Sequence, residues 1–416
     1  MDATTLRRTL QHALVESDRR AGGYAPADLV AVLEDLTQKV AGEALLPDID
    51  YPSLHREIAH EAMLFGPLWR VFFDASVSEV MVNAPDKVFS ERNGKVGPEP
   101  VRFANAADLR HTVDKIMTMD SAARLDQSKP WVDIALPDGS RANVTIPPIV
   151  VGGVHLTIRK YQGRFHGIDD LVAADTLDER MGELLLAATR ARLNILFSGA
   201  TGTGKTTLVE VLSRAIPHHE RIICIEDTME IHVDHPNVVR MVTRLANLEG
   251  KGEVTIGDLF RNSLRMCPDR VLLGEIRGAE AYDYLQALNS GHDGSLAVIH
   301  ASSPEEALVR LQNLVPLAGL GVPSEVVRRQ IAHGLDLVVQ IRQHADGTRR
   351  VTSISEVVGQ DAEGLLVVED LFRFEVERTG PVAMQGRWIA TGRVPKFLPR
   401  LEASGMGVSE ELFAQR

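Results

Sequence analysis

The chain has 416 residues, 44% of them hydrophobic and 25% charged, with 45 basic against 57 acidic residues and a formal charge of -12. That is ample apolar material for two or three globular domains, and the acidic balance argues against a surface built throughout to grip nucleic-acid backbones, although a local basic channel is compatible with it. No stretch approaches the roughly 18 to 20 uninterrupted apolar residues of a membrane span, the opening MDATTLRRTLQHALVESDRR has no apolar core for a signal peptide, and the distant pair Cys224 and Cys267 suggests neither a disulfide framework nor a cysteine zinc site; the expected compartment is the cytoplasm.

Residues 1–66 read as helices: Leu29, Val30, Leu33, Leu36 and Val40 fall on one apolar stripe, which suits a helical bundle or arm. From Val77 the pattern turns to short β-prone runs broken by the turn signals Asn83-Ala84-Pro85-Asp86 and Asn93-Gly94. A helix-like stretch over 106–119 follows, then the strands WVDIAL and SRANVTI about a Pro-Asp-Gly turn, then VHLTIRK; together, 67–160 read as a small α+β domain. Gly163, Gly167 and Asp169-Asp170 mark 161–177 as a linker. In 178–416, helix-like and strand-like segments alternate to about residue 342, the order of a parallel sheet with helices on both faces. NILFS, RIICIE, RVLLG and SLAVIHA are its buried-strand candidates, and from about residue 349 VTSISEVV and GLLVVEDLFRFEV form a β-rich extension.

Between NILFS and the helix KTTLVEVLSRAI lies Gly199-Ala200-Thr201-Gly202-Thr203-Gly204-Lys205-Thr206, which satisfies GxxxxGK[ST] in the strand–turn–helix context that pattern requires. Glycines let the backbone curl so that N–H groups face phosphate oxygens, and the helix N-terminus adds partial positive charge. Lys205 would reach the β- and γ-phosphates, Thr206 would offer its hydroxyl to magnesium, and Thr207 is a further phosphate donor. A plain glycine-rich connector is the alternative; it leaves the spacing of lysine and threonine unexplained.

Three further segments end apolar strands in polar groups, where ligands of open α/β sheets bind. IEDTMEI places Glu226, Asp227 and Glu230 after RIICI, and such carboxylates orient water and hold metal beside a γ-phosphate. DRVLLGEIRG resembles a magnesium strand with its acid one residue late: Gly274 stands where aspartate is usual, and Glu275 follows. GHDGSLAVIHA brings His300 to the same edge, as a γ-phosphate sensor or as a hydrogen-bonded core histidine.

The ordered set GATGTGKTT, IEDTMEI, DRVLLGEIRG and GHDGSLAVIHA resembles the Walker A, Asp box, Walker B and His box of the bacterial type II/type IV secretion ATPase superfamily. Within it, the run from NLEGKGEVTIGDLF to ASSPEEAL looks most like the CpaF-like ATPases of tight-adherence (Tad, Flp) pilus systems, and the likeness covers most of the chain beyond about residue 66. The resemblance implies an α/β fold, a RecA-like phosphate-loop ATPase domain preceded by a small α+β, PAS-like domain and N-terminal helices. It makes Gly274 an expected spacer, Glu275 the residue governing Mg2+ together with Thr206, Glu230 the water-orienting base, and Glu226 and Asp227 supporting members. Charge on the phosphates would be met by Arg277, Arg265, or Arg124, Arg141 and Arg159 of the smaller domain. Gln127 stands where many relatives carry glutamate, and two separated cysteines exclude the four-cysteine zinc insertion of some type II members.

The implied protein is a Mg2+-dependent ATP hydrolase, a homo-hexamer on the cytoplasmic face of the inner membrane, driving pilin subunits through a platform protein by domain rotations, with no nucleic-acid partner. The alternatives are a conjugation-type (VirB11-like) traffic ATPase, a nucleotide-gated assembly scaffold, and a RecA-like nucleic-acid motor.

Overall fold

In a computed structural model of the chain, residues 3–21, 23–25, 28–41, 49–92, 94–119, 124–161, 163, 165–244, 246, 250–378, 385–403 and 405–415 are described. Asn93 of the second expected turn and residues 247–249 of the quoted family run lie outside them. The chain divides into two units, Met1–Gln162 and Gly163–Arg416.

The first unit opens with α1 (Ala3–Ala21), α2 (Leu29–Ala41), α3 (Tyr51–Phe65) and the single turn α4 (Trp69–Phe72). Asp50 caps α3 by accepting from Ser53 N at 3.1 Å. Its end is set by Gly66 at φ +54°, where a Cβ would stand 2.9 Å from Thr112 Oγ1. Strands β1 (Val77–Ala84), β2 (Lys87–Arg92), β3 (Lys95–Pro98), β4 (Trp131–Ala135), β5 (Arg141–Thr145) and β6 (His155–Arg159), with α5 (Ala106–Met117) inserted, form an antiparallel sheet of order β3-β2-β1-β6-β5-β4. Leu10, Leu14 and Leu33 of the helices share one core with Val80, Val144 and Ile158 of the strands. The helices expected as a bundle or arm are therefore packed into the α+β unit, because their apolar stripe has the sheet face to cover.

The second unit begins inside the expected linker. α6 (Ile168–Ala173) packs on α7 (Glu179–Arg190), with Leu171 and Leu177 buried and Gly182 of α7 lying close under Ile168. Apolar residues at helical spacing outweigh the glycine and aspartate turn signals there. The elements β7 (Ile195–Ser198), α8 (Lys205–Ser213), β8 (Ile222–Glu226), β9 (Val238–Val242), α9 (Ile256–Ser263), β10 (Arg270–Leu273), α10 (Glu280–Leu288), β11 (Leu296–Ile299), α11 (Pro304–Leu314), α12 (Ser324–Gly334) and β12 (Leu337–Gln343) follow. Then come β13 (Arg349–Gln360), β14 (Leu366–Arg378), β15 (Gln385–Ala390) and α13 (Leu398–Ala403).

The sheet order is β15-β14-β13-β12-β7-β11-β10-β8-β9, parallel from β12 to β9 and antiparallel through the C-terminal strands. Successive residues of β8 feed two cores: Ile222 and Cys224 pack with α7, α8 and α13, while Ile223 and Ile225 pack with α9 to α12. Burial on both faces explains why these strands are continuous apolar runs. β11 lies between the phosphate-loop strand β7 and the acidic strand β10, so the ends of β7, β11, β10 and β8 open on one edge. Among the described residues no helix is long and apolar enough to cross a membrane.

Candidate active site

Strand β7 ends at the buried Ser198, and the backbone turns at once over β12: a Cβ on Gly199 would stand 2.4 Å from the Ile341 carbonyl oxygen. Only glycine fits under that carbonyl. Gly204, at φ +104°, opens α8, and Thr203 Oγ1 donates to Ala200 O at 2.9 Å, closing the loop. Lys205 Nζ donates to the carbonyls of Gly199 at 2.9 Å and Ala200 at 2.7 Å. Burial pushes its ammonium down to about 8, against the opposing pull of Glu275 and Glu230.

Beside the lysine, Glu275 is held from two sides. Its Oε2 accepts from Arg277 Nη2 at 2.5 Å and its Oε1 lies 3.1 Å from His300 Nε2. Burial raises the Glu275 carboxyl, but Arg277 and His300 outweigh it and hold it below its ordinary value. Burial, reinforced by Lys205, pushes His300 down despite Glu275, so the imidazole is neutral at neutral pH. Arg277 extends toward Asp227 at 4.0 Å, and its backbone N–H, with that of Gly278, donates to Glu280 Oε1 at 2.6 and 2.7 Å.

The turn after β8 is tied to the sheet by its backbone. Glu226 Oε1 accepts from Glu230 N and Ile231 N, both at 2.9 Å, and Glu210 of α8 accepts from His232 N at 3.0 Å. Arg240 donates to Ile231 O, and the Ile231 side chain is fully buried. Glu230 itself is exposed at this edge, near enough for its charge to act on Lys205 and Arg277. Lys205, Glu230, Glu275, Arg277 and His300, expected from four separate segments, thus meet at the ends of adjacent strands.

Other expected residues fall elsewhere. Arg265 lies between the end of α9 and the start of β10, at the end of the sheet opposite the phosphate loop. Arg141 and Arg159 are cross-strand partners on β5 and β6, and Arg159 pairs with Glu79 at 2.7 Å. Arg124 and Gln127 are exposed in the segment before β4.

Sequence reasoning missed the β12 side of the site. A cleft of about 560 Å³ runs from Ala200, Thr201 and Thr203 past His300 to Gln340 and Arg342. Arg342 Nη2 donates to Ser302 O at 2.8 Å, and the buried Gln340 donates to Ala301 O at 3.3 Å. Only the sheet order, which sets β12 against β7, reveals this; QIRQ carries no motif.

A strand–glycine loop–helix whose lysine faces carboxylates on neighbouring strand ends defines a phosphate-loop nucleotide hydrolase. The chain belongs to the family described as type II/IV secretion system protein, whose model matches residues 61–378, and it is an ATP hydrolase of that family. It is 35% identical over 293 residues to a putative conjugal transfer protein of Mycobacterium tuberculosis, spanning 69% of this chain and 82% of that protein. It is 33% identical over 314 residues to protein VirB11 of Agrobacterium fabrum, spanning 68% of this chain and 90% of the relative. The crystal structure of the pilus retraction motor PilT with bound ADP shares the fold, at 20% identity and a TM-score of 0.52 over 74% of this chain and 84% of that one. The superfamily resemblance stands; these relatives do not carry its narrowing to tight-adherence pilus ATPases.

Proposed function

We propose that the chain is a VirB11-like traffic ATPase of a conjugation-type secretion machine, working as a hexamer against the cytoplasmic face of a membrane. The names of the two curated relatives favour this reading over pilus assembly. Tight-adherence pilus assembly remains the second reading, on the likeness of the motif-bearing run through GHDGSLAVIHA. Neighbouring genes for conjugation proteins support the first, and genes for pilin and platform proteins support the second. Sedimentation as a strictly monomeric species with full ATP turnover overturns the ring.

The observation that carries the chemistry is Glu275 bonded at once to Arg277 and His300 beside Lys205. The phosphate loop and Lys205 bind the nucleotide phosphates, the lysine exchanging its loop carbonyls for phosphate oxygens. Thr206 and Glu275 are hard oxygen donors of the kind magnesium takes, and among the described residues no three or more His, Cys, Asp or Glu gather into a cage of their own. Such a donor pair suits an ion that also binds nucleotide phosphates, where it would neutralise their charge. Glu230 orients the attacking water and accepts its proton, Arg277 swings from Glu275 toward developing phosphate charge, and neutral His300 reads the state of Glu275.

Lys205→Ala and Glu275→Gln are expected to abolish steady-state phosphate release. Glu230→Gln is expected to lower turnover about 100-fold, in the range of general-base losses, with MgADP affinity retained. Wild-type turnover in Glu230→Gln overturns the base assignment. Hydrolysis strongly stimulated by DNA, with salt-sensitive binding, would move the chain to the nucleic-acid motors.

A further inference from the structure

Glu226 ends β8 at 3% exposure, and the residue that follows the neighbouring strand β10 is glycine, Gly274. The strands run in register with Ile225 opposite Leu273, and Gly274 N donates to Ile225 O at 2.9 Å. A Cβ on Gly274 would stand 2.8 Å from Glu226 Cγ and 3.3 Å from its Oε1. The space a side chain would take at 274 is thus filled by the Glu226 side chain. From there its Oε1 receives the Glu230 and Ile231 N–H groups, while Oε2 faces Cys224 Sγ at 3.7 Å.

We propose that Glu226 is a positioning residue for hydrolysis and that Gly274 is its counterpart. One buried carboxylate fastens the turn presenting Glu230 and registers it against the strand presenting Glu275, so the two acids of the site are set relative to each other through Glu226. Catalytic groups displaced by about an ångström cost on the order of 100-fold in rate. Glu210, Arg240 and the buried Ile231 also hold the turn. Loss of Glu226 therefore moves Glu230 without unfolding the segment.

This inference rests on the reading of Glu230 as the base, and the test separates the two. In the full chain, Glu226→Ala is expected to lower kcat about tenfold or more, with MgADP affinity and Tm close to wild type. Glu226→Gln is expected to restore near-normal kcat, because its amide oxygen accepts the same two N–H groups and its NH2 faces the Cys224 sulfur. Gly274→Ala is expected to resemble Glu226→Ala and to add little in a Glu226→Ala background, the non-additivity of a contacting pair.

Wild-type kcat in Glu226→Ala overturns the proposal. So does a Glu226→Gln as slow as Glu226→Ala, which would make the charge, not the two acceptor bonds, the requirement. Should Glu226→Ala fail to fold, Gly274→Ala decides, and wild-type kcat there overturns the proposal. Glu230→Gln is measured alongside. Normal turnover in it overturns the base assignment, and loss in it with normal turnover in Glu226→Ala overturns the positioning role alone.

Discussion

Two buried carboxylates, one in each unit, have opposite surroundings. Asp74, 2% exposed, follows α4 and receives Arg19 Nη2 at 2.7 Å, Arg92 Nη2 at 3.1 Å, and both the N–H and the hydroxyl of Ser76. Burial pushes its carboxyl up, but those bonds outweigh burial and hold it well below the usual range. Glu226, 3% exposed, receives two backbone N–H groups, while Arg240 acts on it through space. There burial wins, and the carboxyl is pushed up to about 7. A carboxylate that braces a domain is supplied with cations. The one under the active site is held by main chain, while the cations of that edge, Lys205 and Arg277, bond to the phosphate-loop carbonyls and to Glu275 instead.

The largest effect that tests this contrast is expected from Asp74→Ala. Removing one partner of a buried ion pair costs about 3–5 kcal/mol. Arg19 and Arg92 are 51% and 34% exposed and regain water, so about 3 kcal/mol is expected here. Hydrogen exchange at first-unit amides reads it without requiring the whole chain to unfold in two states. A loss under about 0.5 kcal/mol, the scale of ordinary surface substitutions, would mean the node braces nothing.

The two acids also predict opposite responses to pH. Asp74 has a folded value below its unfolded one, so its contribution is present above the unfolded value and is lost as pH falls through the folded value. Glu226 rises from an ordinary 4.5 to about 7. The folded state then binds the extra proton, and stability falls as pH rises across that window. The expected loss is about 2 kcal/mol between pH 5 and 7. Glu226→Gln removes this slope, so its Tm is expected to rise relative to wild type from pH 5 to 7.5. Parallel Tm profiles for the two proteins would show that Glu226 titrates normally and that the contrast with Asp74 is false.

The phosphate loop and the strand ends were legible because their signals are local: an apolar run, then glycines or acids at fixed spacing. What was illegible depends on distant segments. Asp74 meets Arg19 across 55 residues. Arg270 reads as the first residue of a strand, yet it is fully buried against Glu220, 50 residues away, under a glycine, Gly294, whose Cβ would strike it. Gly274 was an expected spacer by resemblance alone, and its physical reason, the Glu226 side chain in its place, needed the parallel register. The α6 segment was misread because its glycines and aspartates are strong turn signals, while the residues it packs on lie in α7.

The smallest effect concerns a carboxylate with a cation and little burial around that cation. Glu79 pairs with Arg159, whose side chain is 65% exposed, and Arg159 sits across from Arg141 on the next strand. Exposed pairs contribute about 0.2–1 kcal/mol, and the like-charged neighbour works against even that. Arg159→Ala is therefore expected to change first-unit hydrogen exchange by less than about 0.5 kcal/mol. A large change would show that pairing, not burial, sets the worth of these carboxylates. Turnover is the separate question, because Arg159 is one of the arginines the family resemblance offers for phosphate charge. If Arg159→Ala lowers kcat while Tm stays put, Arg159 belongs with the phosphate arginines; if neither moves, it is a solvated surface residue.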